Sequence, residues 1–84
     1  MLDEGVWADI KVGSEHLRLC SERNPLGVQT SVYDLKTKKW IAPSEAVDDV
    51  EQGKEIAADH AEAYLKQNAN LELPPLQWKR ARSA

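Results

Sequence analysis

The chain has 84 residues, a net charge of −3 at pH 7 and 42% hydrophobic residues, with three Trp, two Tyr and no Phe. A chain of this length forms one small domain, and its acidic balance argues against a surface built wholly for nucleic acid or anionic membrane. The sequence contains no apolar run of about eighteen residues. The N-terminal residues also lack a basic-then-apolar signal, so we expect a cytoplasmic protein with no membrane partner.

Four segments have the residue patterns of strands. Gly13-Ser14 separates the first two segments and is typical of a two-residue hairpin turn. Residues 22–27 predict a loop, and Pro43 is expected to end the fourth strand. In the third segment, two sets of residues compete for the buried face of the strand, and a bulge or a register change would bring both to that face. The sets are Val28, Thr30 and Val32 on one side and Tyr33 and Leu35 on the other. The predicted strands are residues 6–12, 16–20, 28–35 and 39–42.

An amphipathic helix is predicted from Asp49 to Gln67, where apolar residues recur at three- and four-residue intervals. Asp48 and Asp49 each precede an acid or amide by three residues, which resembles a capping box. Pro74 and Pro75 prevent further helix. Gly53 costs about 1 kcal/mol relative to Ala in a helix interior. We therefore expect the helix backbone to approach the sheet closely at Gly53.

These elements predict an α+β domain over residues 1–67, a four-stranded antiparallel meander followed by one helix packed on one face (ββββα). Residues 68–84 form an irregular C-terminal tail, which is either partly disordered or docks onto its own sheet or a partner. One helix covers one side of such a sheet and leaves the other open. The order of elements resembles small single-sheet domains, some of which bind nucleic acid through the sheet, and this likeness of topology implies no functional residue.

We find no residue pattern specific enough to name a reaction. Cys20 is the single cysteine and cannot form an internal disulfide, which fits a reducing compartment. His16 and Cys20 share one strand four residues apart, so about 13 Å separates them, too far for a catalytic pair. Two His and one Cys make a zinc site improbable. We therefore predict a non-enzymatic protein without metal or cofactor.

The first functional hypothesis is a protein-interaction or oligomerisation module. Aromatic and basic side chains on the uncovered side of the sheet are the residue types found at binding hot spots. Four large apolar residues in the tail would add an assembly element by strand addition or docking. The candidate interaction residues are Trp7, Lys11, Arg18, Tyr33, Leu73, Leu76 and Trp78.

The alternative hypothesis is a nucleic-acid-binding module. The predicted helix is acidic, whereas the turn after the third strand and the end of the chain are basic, so charge is segregated along the sequence. Basic residues next to aromatic ones suit stacking on bases and contact with phosphates. The candidate residues for this alternative are Lys36, Lys38, Lys39, Trp40, Lys79, Arg80 and Arg82.

Overall fold

The computed structural model describes residues 4–24 and 27–81, which form an antiparallel sheet with one helix against one face. The strands are β1 (Glu4–Val12), β2 (Glu15–Asn24), β3 (Gly27–Asp34), β4 (Lys39–Val47) and β5 (Lys79–Ala81), and the helix α1 is Val50–Ala69. The order across the sheet is β4-β3-β2-β1-β5. The predicted α+β class with an antiparallel sheet and a helix is confirmed. The predicted count of four strands is wrong, because β5 pairs with the outer edge of β1.

The first hairpin turns at Gly13-Ser14, as the sequence predicts, with Val12 opposite Glu15. Gly13 has a φ of 59°, the conformation that a type II′ turn requires at its first central residue. The predicted loop over residues 22–27 is wrong at both ends, because β2 extends to Asn24 and β3 starts at Gly27. Pro25 and Leu26 lie outside the described residues.

The fourth strand is longer than predicted, because β4 continues through Pro43 to Val47. Thr30 pairs with Glu45 while Val32 pairs with Ala42, so residues 43 and 44 together oppose one residue of β3. A second register shift, at Ile41, separates the Val32–Ala42 and Tyr33–Trp40 pairs. Both irregularities lie in an edge strand, where a missing backbone N–H removes no ladder bond from a neighbour. The third strand itself alternates regularly, and its buried set is Val28, Thr30, Val32 and Asp34.

The core lies between the sheet and α1. Buried apolar side chains of β1, β2, β3 and β4 meet a stripe of small residues and one Leu on the helix. Because the stripe is mostly Gly and Ala, the helix axis lies close to the sheet. The buried apolar residues are Ala8, Ile10, Leu17, Leu19, Val28, Val32 and Ala42 from the strands and Gly53, Ala57, Ala61 and Leu65 from α1.

The helix starts one residue after its N-cap, Asp49, whose side chain accepts a hydrogen bond of 2.8 Å from the backbone N–H of Gln52. Gln52 in turn accepts from the backbone N–H of Asp48 at 2.6 Å. This reciprocal pair is a variant of the predicted capping box. The Gln52 side chain bonds the N–H of Asp48, one residue before the N-cap, and not the N–H of Asp49 itself. The helix ends at Ala69, two residues beyond the predicted end at Gln67, and its C-cap Asn70 has a left-handed conformation with a φ of 53°.

The helix backbone approaches the sheet closely at Gly53, as the sequence predicts. A Cβ atom at this position would overlap the Ser21 hydroxyl and lie 3.3 Å from Cγ2 of Val47. The Ser21 hydroxyl donates to the carbonyl of Val50 at 2.9 Å, and the Thr30 hydroxyl lies 2.8 Å from the carbonyl of Gly53. The first turn of the helix is therefore bonded directly to buried hydroxyls of β2 and β3.

The C-terminal segment packs against the same core. Leu71, Leu73, Leu76 and Trp78 are half-buried against it, and Lys54 of α1 lies 5.6 Å from the centroid of the Trp78 ring. The segment runs back along the sheet from the helix end, and β5 then pairs antiparallel with β1 from Gly5 to Trp7.

Candidate interaction surface on the open face

The open face is the side of the sheet opposite α1. Because side chains alternate along a strand, the residues between the buried core positions of β1, β2 and β3 point to this side. Registered partners on neighbouring strands share a face, which brings residues distant in sequence together. The open face carries Trp7, Asp9, Lys11, His16, Arg18, Cys20, Glu22, Gln29, Ser31, Tyr33, Trp40 and Lys79.

Five of these residues form a row across all five strands, which we name the aromatic–cation band. Its members alternate between cationic and aromatic side chains before ending in an aromatic pair. At about 4.8 Å per strand the row spans roughly 19 Å. In order across the sheet it consists of Lys79, Trp7, Arg18, Tyr33 and Trp40.

Trp7 lies between two cations. The guanidinium of Arg18 is 4.9 Å from the centroid of the Trp7 ring, and the Lys79 ammonium is 5.2 Å from it. Arg18 is also held by Asp9, to which its Nε and Nη2 donate at 2.6 and 2.8 Å. A bidentate pair with a ring beneath it restricts the guanidinium to one orientation.

The aromatic end of the band is the pair Tyr33 and Trp40. Their ring centroids are 4.8 Å apart with an interplanar angle of 70°, an edge-to-face arrangement. Trp40 is 59% exposed. A Trp this exposed leaves most of its apolar surface in water, although its neighbour Tyr33 supports one side.

Three ionisable groups of the open face, on Asp9, Arg18 and Cys20, each keep one charge state at neutral pH. The hydrogen bond and charge of Arg18 hold the pKa of Asp9 below its usual value, and Asp9 raises the pKa of Arg18. Burial, helped by the charge of Glu22, raises the pKa of the Cys20 thiol. The thiol therefore stays protonated at neutral pH, whereas thiol chemistry requires the thiolate.

The structure divides the interaction residues predicted from the sequence. Trp7, Lys11, Arg18 and Tyr33 lie together on the open face, and three of them belong to the band. The tail residues Leu73, Leu76 and Trp78 lie on the other side of the sheet, packed against the core.

The residues predicted for nucleic acid are separated by the width of the sheet. Lys38 lies at the tip between β3 and β4, whereas Lys79 and Arg80 lie on β5 at the opposite edge. Lys36 is paired with Glu15 at 3.2 Å. Trp40 and Lys79 instead join the open face, at the two ends of the band. Arg82 lies outside the described residues.

Asp9, which holds the Arg18 guanidinium in place, is absent from the residues predicted from the sequence. Asp9 and Arg18 are equally distant from the Gly13-Ser14 turn, so a two-residue hairpin places them directly opposite each other. The opposite charges of Asp9 and Arg18 at paired positions are the feature of the sequence that would have identified Asp9. The Tyr33–Trp40 and Trp7–Lys79 pairs have no such signal, because they depend on a bulged strand and on where the tail returns.

A shallow pocket of about 360 Å³ lies beside the aromatic end of the band, between the β3–β4 turn and α1. Its buried acid, Asp34, already accepts the backbone N–H groups of Lys36 and Thr37 and the hydroxyl of Tyr64. The lining is otherwise mainly apolar or aromatic. Its residues are Asp34, Thr37, Lys39, Trp40, Ile41 and Tyr64.

Comparison with known proteins assigns no family to this arrangement. No protein-family model, curated protein or solved structure matches the chain. Within residues 4–24 and 27–81, no helix is long and apolar enough to cross a membrane. In the same ranges, no three His, Cys, Asp or Glu residues are grouped so that they could hold a metal ion.

Proposed function

We propose that this chain is a non-enzymatic protein-interaction module, which binds a protein partner or a second copy of itself through the open face. The observation that carries the proposal is the exposed Trp40, packed on Tyr33 at one end of the aromatic–cation band. Trp, Tyr and Arg are the residue types that contribute most at protein interfaces. The band presents all three in one row.

The band is also preorganised. Arg18 is fixed between the Asp9 carboxylate and the Trp7 ring, and Tyr33 and Trp40 support each other. Ordering a flexible side chain on binding costs about 0.5–1.5 kcal/mol. Side chains that are already held in place avoid much of this cost, which favours association through the band.

Binding through the face is better supported than strand addition at an edge. The β4 edge is interrupted by Pro43 and by a bulge, and both discourage pairing with another strand. Part of the β1 edge is already paired with β5. The half-buried Leu73, Leu76 and Trp78 contact their own core, so the proposed surface does not include them.

Site-specific photo-crosslinking tests the proposal and captures whichever protein lies on the open face. A benzophenone amino acid at Ser31, on the open face, is expected to give a discrete adduct with protein in cells that produce this chain. The same group at Glu62, exposed on α1, is the matched control and should give little. Tyr33→Ala with Trp40→Ala should reduce the Ser31 adduct.

Equal adducts from both positions, or none from Ser31, would contradict the proposal. A Ser31 adduct that persists in the Tyr33→Ala, Trp40→Ala variant would show that the aromatic–cation band is not part of the binding surface. The variant needs an unchanged far-ultraviolet circular dichroism spectrum for this comparison.

Nucleic acid is the second candidate, favoured by the position of Trp7 between Arg18 and Lys79. Such binding weakens steeply between about 50 and 200 mM salt, since it releases counterions. Fluorescence anisotropy with single-stranded oligothymidylate provides the test. Binding that falls with salt and with Lys79→Gln would support this candidate, and absence of binding at low salt would exclude it for single strands.

A further inference from the structure

Charge differs between the two sides of the described domain. Among the described residues, the open face carries three cations and two carboxylates, although the whole chain has a net charge of −3. The outer surface of α1 carries four exposed carboxylates and fewer cations. The cations of the open face are Lys11, Arg18 and Lys79, its carboxylates are Asp9 and Glu22, and those of α1 are Glu51, Glu55, Asp59 and Glu62.

Two cations of the open face have no ion-pair partner among the residues that the structure describes. Asp9 and Arg18 compensate each other through their bidentate pair. Among the described residues, no carboxylate oxygen forms an ion pair with Lys11 or Lys79 within 4.0 Å. The Lys79 ammonium is nevertheless held on the face, because it lies against the Trp7 ring.

These groups divide the open face into a cationic half and an aromatic half. Lys79 is the registered neighbour of Trp7, and Lys11 lies four residues along β1, about 13 Å away. Both are at the β5–β1 side. Tyr33 and Trp40 are at the β3–β4 side. On one half, a ligand that covers the described face meets the ammonium groups of Lys11 and Lys79, which form no ion pair there. On the other half it meets exposed aromatic surface.

We infer that the open face binds an acidic segment of a partner protein that also carries an apolar or aromatic anchor. Carboxylates of the segment lie against Lys11 and Lys79, and the anchor lies against Tyr33 and Trp40. This inference rests on the proposed function. An acidic peptide fits better than nucleic acid, because Asp9 and Glu22 interrupt the cations and a nucleic acid carries a phosphate at every nucleotide.

Labelled synthetic peptides of about twelve residues test the inference by fluorescence anisotropy. Each contains one Trp near one end and several variable positions, filled with Glu, Gln or Lys. The Glu peptide is expected to bind about tenfold more tightly than the Gln peptide at low salt, and the Lys peptide most weakly. Lys11→Gln with Lys79→Gln should remove this preference. Lys66→Gln, the same change on an exposed residue of α1, is the matched control.

Equal binding of the Glu and Gln peptides, or an equal loss in the Lys66→Gln control, would overturn the inference. So would oligothymidylate that binds more tightly than the Glu peptide and depends on Lys79, because the ligand would then be nucleic acid. A second copy that offered its acidic helix would assemble head to tail into open chains. If the molecular mass from light scattering rises with concentration, and this rise is lost in Lys79→Gln, the ligand is a second copy of the chain. That result would overturn the inference of a partner segment.

Failure of this inference is distinguishable from failure of the proposed function. If Ser31 crosslinks to a protein through the open face but the acidic peptide shows no preference, the function stands and the partner chemistry is wrong. If no open-face adduct forms, the proposed function itself fails.

Discussion

Among individual residues, Asp34 connects three parts of the fold. It is 2% exposed, caps the β3–β4 turn through the N–H groups of Lys36 and Thr37, and accepts from Tyr64 of α1 at 3.2 Å. Burial by itself raises the pKa of the Asp34 carboxyl, but these hydrogen bonds outweigh burial and place the pKa below its ordinary value of 3.8. The carboxylate is therefore charged at neutral pH and contributes to stability.

Asp34→Asn is expected to lower the free energy of unfolding at pH 7 by roughly 1–3 kcal/mol, because hydrogen bonds to a charged acceptor are lost. A lowered folded-state pKa stabilises the protein above the unfolded value and loses this effect as the pH falls through the folded value. The difference between the two proteins should therefore shrink below about pH 3.8. Urea unfolding at pH 7 and at about pH 3 measures it, with exposed Asp59→Asn as control. A difference independent of pH would contradict the assignment.

Gly53 is the second residue whose environment is decisive. Gly→Ala in a helix interior normally adds about 1 kcal/mol of stability. Here the new methyl group would overlap the Ser21 hydroxyl, which is bonded to Val50, so Gly53→Ala should destabilise by roughly 1–3 kcal/mol. Thermal unfolding checks the sign. The double variant with Ser21→Ala should lose less than the sum of the single changes, since the two residues are in contact.

Among the elements, α1 depends on its N-cap. Asp49→Ala removes the acceptor for the Gln52 N–H and should cost about 1 kcal/mol, measured by urea unfolding. Asp48→Ala is the matched control, since both are exposed acids of the same turn and Asp48 contributes only its backbone N–H. Equal losses in the two variants would mean that charge near the helix N-terminus, and not the hydrogen bond, is responsible.

The sheet shows which features the local sequence pattern predicts and which it does not. The turn at Gly13-Ser14 sets the register of β1 with β2, so the open-face set Trp7, Asp9 and Arg18 follows from the sequence. The extents of the edge strands do not follow from the local sequence pattern. Pro43 signals an end, but an edge strand accommodates it in a bulge, and β4 therefore runs on to Val47.

Across the whole molecule, the three Trp residues report on separate regions. Trp7 and Trp40 lie on the open face and Trp78 lies in the tail against α1. Because the tail packs on the same core as the strands, we expect one cooperative transition. Variants that retain a single Trp, with the others replaced by Phe, should therefore unfold at the same urea concentration by fluorescence and circular dichroism. An earlier transition for Trp78 alone would show that the tail detaches independently.

Spacing along the chain and turn chemistry suffice for the α+β class, the helix with its cap, the close approach at Gly53 and the residues of β1 and β2 on the open face. All of these depend on local interactions, which the sequence displays directly. The positions of Lys79 beside Trp7 and of Trp40 beside Tyr33 emerge only in the folded chain. The return of the tail to the β1 edge and the bulge in β4 are chosen by burial and by pairing across the sheet, which no local pattern encodes. The side chains whose burial directs the tail are Leu71, Leu73, Leu76 and Trp78.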